Sequence, residues 1–247
     1  MSNPMPAVAP QDLQQIWVYL AASPLVGLSA TLLAYLLALW LFRRCRQHPL
    51  TNPVLVAVAL LVAFLSLSGT SYEHYFAGAQ FVHFLLGPAT VALAIPLYAQ
   101  VKRLRRLWLP VSVGLLAGSA TGIASAVLLG RWLGASLPTQ LSLAPKSVTT
   151  PIAMGIAEHI GGIPSLTAAL VILTGIWGAM IARHLFDALR VRDPAIRGFA
   201  TGVAAHGVGT ARAFQDSEES GAFSALAMGL NGALTALLTP WLVAWLF

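Results

Sequence analysis

A short polar stretch interrupts an apolar part of the chain and carries groups suited to binding an anion. It reads Ala-Pro-Lys-Ser-Val-Thr-Thr-Pro over 144–151, with Pro145 as a predicted break of the helix. A helix that restarts after such a break offers free amide N–H groups and its positive dipole end to a ligand. The residue types predict an anion site; the alternative is that Lys146 extends to the lipid headgroups while the hydroxyls bond backbone. The candidate ligand-binding residues of the stretch are Lys146, Ser147, Thr149 and Thr150.

The same phrase occurs earlier in the chain. Leu-Gly-Pro-Ala-Thr-Val at 86–91 matches Leu-Ala-Pro-Lys-Ser-Val at 143–148 in its pattern of Leu, small residue, Pro, spacer, hydroxyl residue and Val. We expect Pro88, like Pro145, to precede a fresh helix start, with Thr90 and Ser147 as the capping residues. Irregular backbone at membrane depth is tolerated only where protein buries it or where it lines a cavity. Thr90 is therefore a further candidate for the binding site.

A second polar cluster lies near the C-terminal end, in the stretch 198–214. Gly207 and Gly209 follow His206 and are expected to weaken the helix and let backbone approach a ligand. His206 is suited to binding a carboxylate or relaying a proton, with Thr210 beside it, and Arg212 to holding a carboxylate in a two-pronged contact. The alternatives are a hydrogen bond from His206 to a neighbouring helix and a headgroup contact for Arg212.

Asn231 is a further polar residue in a predicted span, and Thr235 follows it by one helical turn. Both side chains are expected to face the same bundle interior. Asn231 either joins helices by hydrogen bonds or donates a hydrogen bond to a substrate.

The sequence offers no support for several other classes of chemistry. It has one cysteine and scattered histidines, and it lacks His-x-x-x-His, Cys-x-x-Cys, Gly-x-Ser-x-Gly and Walker-type motifs. We therefore expect no metal, no cofactor and no enzymatic activity. The net charge of +6 comes from basic residues at the ends of apolar segments, so no nucleic-acid partner is expected.

The elements that must position these residues are membrane helices. Of 247 residues, 57% are hydrophobic and 9% charged, which excludes an ordinary soluble domain. We predict an all-α polytopic integral membrane protein with about seven or eight transmembrane segments, including proline- or glycine-broken helices or re-entrant elements. Residues 1–16 form a polar N-terminal segment, and 17–247 a single transmembrane domain. The predicted spans are 17–42, 53–68, 81–100, 107–133, 165–189, 195–213 and 221–247, with a re-entrant hairpin or two half-helices at 137–160.

Three basic clusters suggest an orientation. They lie at 43–46, 102–106 and 183–197, and placing all three in the cytoplasm requires 137–160 to enter and leave on one face. In this topology Asp216, Glu218 and Glu219 lie outside and the C-terminus lies inside.

Two stripes of small residues recur every four positions and predict close helix packing. Their members are Gly114, Gly118, Gly122, Ala126 and Gly130 in one and Gly221, Ala225, Gly229 and Ala233 in the other.

Five motifs together resemble the LrgB/CidB family, and the resemblance covers nearly the whole chain from about Trp17. They are Pro-Lys-Ser-Val-Thr-Thr-Pro-Ile-Ala at 145–153, Gly-Gly-Ile-Pro-Ser-Leu-Thr-Ala at 161–168, Arg-Asp-Pro-Ala-Ile-Arg-Gly at 192–198, Ala-His-Gly-Val-Gly-Thr-Ala-Arg-Ala at 205–213 and Ala-Met-Gly-Leu-Asn-Gly-Ala-Leu-Thr-Ala at 227–236. The family is described as antiholin-like or holin-like modulators of murein hydrolase activity and autolysis. Relatives include the plastid glycolate/glycerate translocator and bacterial pairs implicated in pyruvate movement.

The resemblance implies two functions. One is transport of small 2-hydroxy or 2-oxo monocarboxylates, and the alternative is modulation of murein hydrolases in autolysis. It also implies a multi-pass location in the bacterial cytoplasmic (inner) membrane and a small LrgA/CidA-type membrane protein as a partner from a separate polypeptide. A homo-oligomer is a further expectation.

Overall fold

The computed structural model describes residues 24–45 and 51–247. The predicted polar segment 1–16 lies outside these residues. The chain divides into two compact units, with the boundary between Val91 and Ala92. Secondary structure in the described ranges is helical throughout, which confirms the all-α class.

The first unit is built from apolar helices. The first two, α1 (Pro24–Arg44) and α2 (Pro53–Ser68), are joined by a segment that includes Asn52. The Asn52 side chain caps α2 by accepting from the N–H groups of Val54 and Leu55. The helix α4 (Leu86–Ala92) begins two residues before Pro88, so Pro88 lies inside its first turn, and the prediction of a helix start after Pro88 was wrong. A first-turn proline is tolerated because that N–H lacks a partner within the helix. The helices are α1 Pro24–Arg44, α2 Pro53–Ser68, α3 Tyr72–Phe84 and α4 Leu86–Ala92, the last ending at the boundary.

The second unit contains three long helices, two short ones at its start, and two broken elements. The short helices are α5 Ala94–Ala99 and α6 Val101–Arg106. The long helices are α7 Trp108–Trp132, α10 Pro164–Ala188 and α12 Glu218–Leu246. The broken elements are α8 Leu137–Leu143 with α9 Thr150–Ile160, and α11 Pro194–Asp216.

Five helical stretches of the described chain are long and apolar enough to cross a membrane, and α2 is a shorter apolar helix. The five are Leu25–Arg44, Tyr72–Ala99, α7, α10 and α12. These spans establish a polytopic membrane protein. The predicted span 195–213 is not among them.

α8 and α9 form the first hairpin, which enters and leaves on one side. The N–H of Ile163, which follows α9, donates to Oγ of Ser142 on α8 at 2.8 Å. Leu143 lies against Gly130 near the end of α7, whereas Ser147 in the break lies beside Gly122, closer to the middle of α7. The hairpin therefore starts at the end of α7 marked by Arg131 and has its tip near the middle of α7, as the sequence predicted.

α11 forms a second hairpin rather than a span. His206 has φ 41° and ψ −135°, which breaks the helix. Gly202 and Thr210 both contact Ser224 of α12: a Cβ on Gly202 would lie 2.2 Å from the Ser224 carbonyl oxygen, and the Thr210 and Ser224 hydroxyls are 2.9 Å apart. A straight helix would separate Gly202 and Thr210 by about 12 Å along its axis. The chain therefore reverses at His206.

The reversal corrects the predicted topology. Within the second unit, Arg103 bonds both Asp193 and Glu219, so the start of α12 lies at the same end as the basic clusters at 102–106 and 183–197. At the opposite end the Arg131 guanidinium donates to the Leu246 carbonyl oxygen at 3.2 Å. Since α11 does not cross, Asp216, Glu218 and Glu219 lie at the basic end and Phe247 at the Arg131 end, the reverse of the expectation.

The two hairpins thus enter the second unit from opposite ends. Both hairpins pack against the stripe of small residues on α7. Gly114 and Gly118 lie against Phe199 and Val203 of the second hairpin. Gly122 lies against Ser147 of the first hairpin. This confirms close packing for the first stripe. In the second stripe a Cβ on Gly221 would lie 2.1 Å from the ring of Phe214, which confirms close packing there, whereas a Cβ on Gly229 would meet open space.

Candidate functional site

A cleft-like cavity of about 1210 Å³ lies between α7, α10 and residues 195–204 of α11, and extends from Leu107 at the basic end to Ser147 at the tip of the first hairpin. It is open along one side, where Trp177 is 63% exposed. Its walls come from α7, α10 and α11, and one end is formed by the break of the first hairpin. The lining residues are mostly apolar or glycine, and the polar ones are Thr121, Lys146, Ser147 and Thr174.

Lys146 is the charged residue among the described residues that line this cavity. Its ammonium donates to Ser147 Oγ at 3.3 Å, and no salt bridge in the described ranges includes it. The side chain is half-buried. A partly desolvated cation without a carboxylate partner is costly, and an anionic ligand in the cavity would neutralise it.

The helix restart after Pro145 differs from the prediction. α9 begins at Thr150, and Thr149, not Ser147, is the N-cap residue. Its extended backbone lacks a side-chain capping bond, and Pro151 occupies the first turn. The prediction that Ser147 caps the helix was therefore wrong by two positions, since the loop of turns continues to Val148.

Asn231 joins the two hairpins to α7. Its amide nitrogen donates to the carbonyl oxygens of Ser147 at 3.3 Å and Val203 at 3.0 Å. Its amide oxygen accepts from the hydroxyls of Ser119 at 2.5 Å and Thr235 at 3.3 Å. The side chain is 1% exposed, and all four of its hydrogen-bonding positions are used. In this conformation Asn231 links helices and has no free group for a ligand.

His206 forms the tip of the second hairpin and packs against α10. Its Nε2 lies 2.9 Å from the Val171 carbonyl oxygen, and because a carbonyl only accepts, Nε2 carries the proton of this bond. Gly175 makes room for the ring, since a Cβ there would lie 2.6 Å from His206 Cε1. His206 therefore makes a hydrogen bond to a neighbouring helix, which was the predicted alternative to ligand binding.

Thr210 and Arg212 lie on the returning arm. Thr210 donates to the His206 carbonyl oxygen at 2.8 Å, which satisfies backbone freed by the break. Arg212 pairs with Asp216 at 3.2 Å and donates to Gln215 Oε1 at 2.9 Å. The guanidinium already has a carboxylate partner from its own helix.

The structure therefore brings only part of the predicted set to the cavity. Lys146 and Ser147 line it; of the other described side chains, Thr149, Thr150, His206, Thr210, Arg212 and Asn231 do not. Thr90 falls within α4 of the first unit, and its side chain lies outside the description. Of the predicted breaks, Pro145 lies in the turns that separate α8 from α9. Gly207 and Gly209 follow the reversal at His206. Ligand binding by these residues stays a prediction.

Sequence reasoning missed Thr121, Thr174 and Ser119. The first two line the cavity, and Ser119 donates to Asn231. The signal for Ser119 and Thr121 was their place beside Gly118 and Gly122 in the stripe of α7. In the described ranges no three metal-ligating side chains come together.

Spans with two opposed hairpins around a cavity define a polytopic membrane protein with discontinuous helices at its core. The sequence profile of the LrgB-like family matches residues 31–245, and the chain belongs to this family. The protein is 38% identical to the uncharacterized protein YwbG of Bacillus subtilis over 222 residues, 90% of this chain and 98% of the relative. It is 31% identical to the antiholin-like protein LrgB of Bacillus cereus strain B4264 over 218 residues, 88% of this chain and 95% of the relative. No solved structure shows a significant match.

Proposed function

We propose that this protein transports small 2-hydroxy or 2-oxo monocarboxylates, of the glycolate, glycerate and pyruvate class, across the bacterial cytoplasmic membrane. The observation that carries the proposal is Lys146, a cation without a carboxylate partner in the described chain, at the wall of a cavity that ends at the break of the first hairpin. Discontinuous helices that meet near mid-membrane are a recurrent device of secondary transporters.

In the proposed mechanism the substrate carboxylate pairs with Lys146, and the hydroxyl of Ser147 donates a hydrogen bond to it. Thr121 and Thr174 line the same cavity and offer hydroxyls to the 2-hydroxy or 2-oxo group. Access alternates as the hairpins move against the glycine stripe of α7, where Gly118 permits close approach to Val203. No covalent step is involved.

An antiholin-like role is the second candidate, and the names of the relatives support it better than they support transport. Several relatives that match about 88% of this chain are named antiholin-like protein LrgB. By the family resemblance, such a protein modulates murein hydrolase activity and autolysis. Altered carboxylate export would affect autolysis indirectly, so the two roles are compatible.

Uptake into liposomes tests the transport proposal. Purified full-length protein is reconstituted, and entry of labelled glycolate and pyruvate is followed with and without a small LrgA/CidA-type membrane protein. Saturable uptake of either acid is expected. Its absence from a stably folded protein in both settings would refute transport.

An autolysis assay separates the second candidate. Cells that express the wild type or Lys146→Met are compared for lysis rate. If both alter lysis equally while only the wild type transports, the antiholin-like role is independent of transport. If the lysis effect disappears with Lys146, it follows from carboxylate movement.

A further inference from the structure

The cavity extends from Lys146 as far as Leu107 and Ala195, and its lining away from Lys146 is mostly apolar. At about 1210 Å³ it exceeds the roughly 300–1,000 Å³ of pockets that hold drug-sized molecules. A small hydroxy acid bound at Lys146 would contact only one end of this cleft and leave most of its apolar lining uncovered.

The apolar walls have a composition that suits a ring or a branched chain. Phe199 and Val203 come from the second hairpin and form the inner wall. Trp177 of α10 lies at the open side of the cleft, where it is 63% exposed. Lys146 lies with Ser147 at the break of the first hairpin, so the charge is confined to one part of the lining. The ligand that complements such a site has one anionic group joined to an apolar body.

We infer that the cavity accepts monocarboxylates with a bulky apolar body, such as aromatic 2-oxo acids, the carboxylate at Lys146 and the body between α7, α10 and the second hairpin. This rests on the proposed function, because it assigns the substrate class of the same site. Burial of a ring in place of water is expected to tighten binding about tenfold or more over the parent acid.

Competition binding with a matched pair of acids tests the inference. Phenylpyruvate and pyruvate share the 2-oxo carboxylate and differ by the phenyl group. The full chain is placed in phosphatidylcholine nanodiscs, and each unlabelled acid is used to displace labelled pyruvate. Phenylpyruvate is expected to displace the label at about one tenth or less of the pyruvate concentration.

Two variants locate the apolar body. Ala204→Phe places a ring in the cavity wall and is expected to weaken phenylpyruvate binding while sparing pyruvate. Ala169→Phe on an exposed position of α10, away from the cavity lining, is the matched control. Should Ala204→Phe fold poorly, Phe199→Ala provides a second variant, for which phenylpyruvate is expected to lose affinity more than pyruvate does.

The outcomes separate the two proposals. If phenylpyruvate displaces the label no better than pyruvate, the inference fails and the proposed function stands. If labelled pyruvate does not bind, either to the chain alone or in nanodiscs that also hold the LrgA/CidA-type protein, both proposals fail. If lipid co-purifies with the wild type but not with Ala204→Phe, and phosphatidylglycerol nanodiscs weaken phenylpyruvate binding, the cavity is a lipid site and the inference is overturned.

Discussion

Single side chains in the second unit satisfy the backbone groups that the helix breaks leave without partners. Val203 lies three residues before the break at His206, so its carbonyl is among the last of the first arm and lacks a helical N–H. The Ser147 carbonyl lies in the break of the first hairpin. Asn231 donates to both with one amide nitrogen. A carboxamide is suited to this position because it has two donors and an oxygen that accepts twice.

Asn231→Leu should destabilise the protein. The change keeps a similar side-chain volume but leaves two buried carbonyls without donors, at a cost of roughly 2 kcal/mol or more. Thr235→Val is the control, because it removes one donor and leaves the other bonds of Asn231 in place. Thermal unfolding in detergent, followed by tryptophan fluorescence, should give a clearly lower midpoint for Asn231→Leu. Equal midpoints would contradict the linking role.

Gly175→Ala should disturb the tip of the second hairpin. An added methyl would lie 2.6 Å from Cε1 and 2.8 Å from Nε2 of His206, so the ring must move and the bond to Val171 weakens. Gly155→Ala on α9 adds the same methyl where nothing lies within 4 Å. We expect a lower unfolding midpoint for Gly175→Ala alone; a midpoint like that of Gly155→Ala would show that the ring is not held there.

At the scale of elements, periodicity and length predict the straight helices but not the second reversal. Residues 194–216 have the length of a span. The glycines around His206 predict that the helix is weak there, but they do not predict that the chain turns back. The reversal depends on contacts with two other helices. Gly198 and Gly202 pack closely against α12, and Gly175 of α10 leaves room for the ring of His206. These are tertiary contacts between residues distant in sequence. The first hairpin was predictable from two signals. Its prolines predict a break, and placing all three basic clusters on one side of the membrane requires 137–160 to enter and leave on the same face.

Surface labelling should distinguish a re-entrant α11 from a span. Glu218→Cys and Ser136→Cys, each in a Cys45→Ser background, place single thiols at exposed positions on opposite ends of the second unit. Because the basic end is expected in the cytoplasm, an impermeant maleimide added to intact cells should label Ser136→Cys and not Glu218→Cys. Inverted vesicles should give the opposite pattern. Labelling of both thiols from one side would contradict the hairpin.

At the scale of the whole molecule, the second unit places a cation, an apolar cavity and two opposed breaks together. Lys146 and Ser147 were predictable site residues because a charged side chain next to a helix break in an apolar segment is conspicuous. The cavity itself was not predictable, since its walls are ordinary span residues such as Phe199 and Trp177. Which apolar faces enclose space depends on how the helices pack.

The measurement that tests the central claim most directly is chemical rescue of Lys146. Lys146→Cys in a Cys45→Ser background is reconstituted into liposomes, and pyruvate uptake is measured before and after aminoethylation of the thiol, which restores an ammonium at nearly the same length. Lys102→Cys, on α6 and away from the cavity lining, is the control. The account predicts that uptake falls at least about tenfold in Lys146→Cys and returns on aminoethylation, with the control unaffected. Full uptake by Lys146→Cys without modification would contradict it.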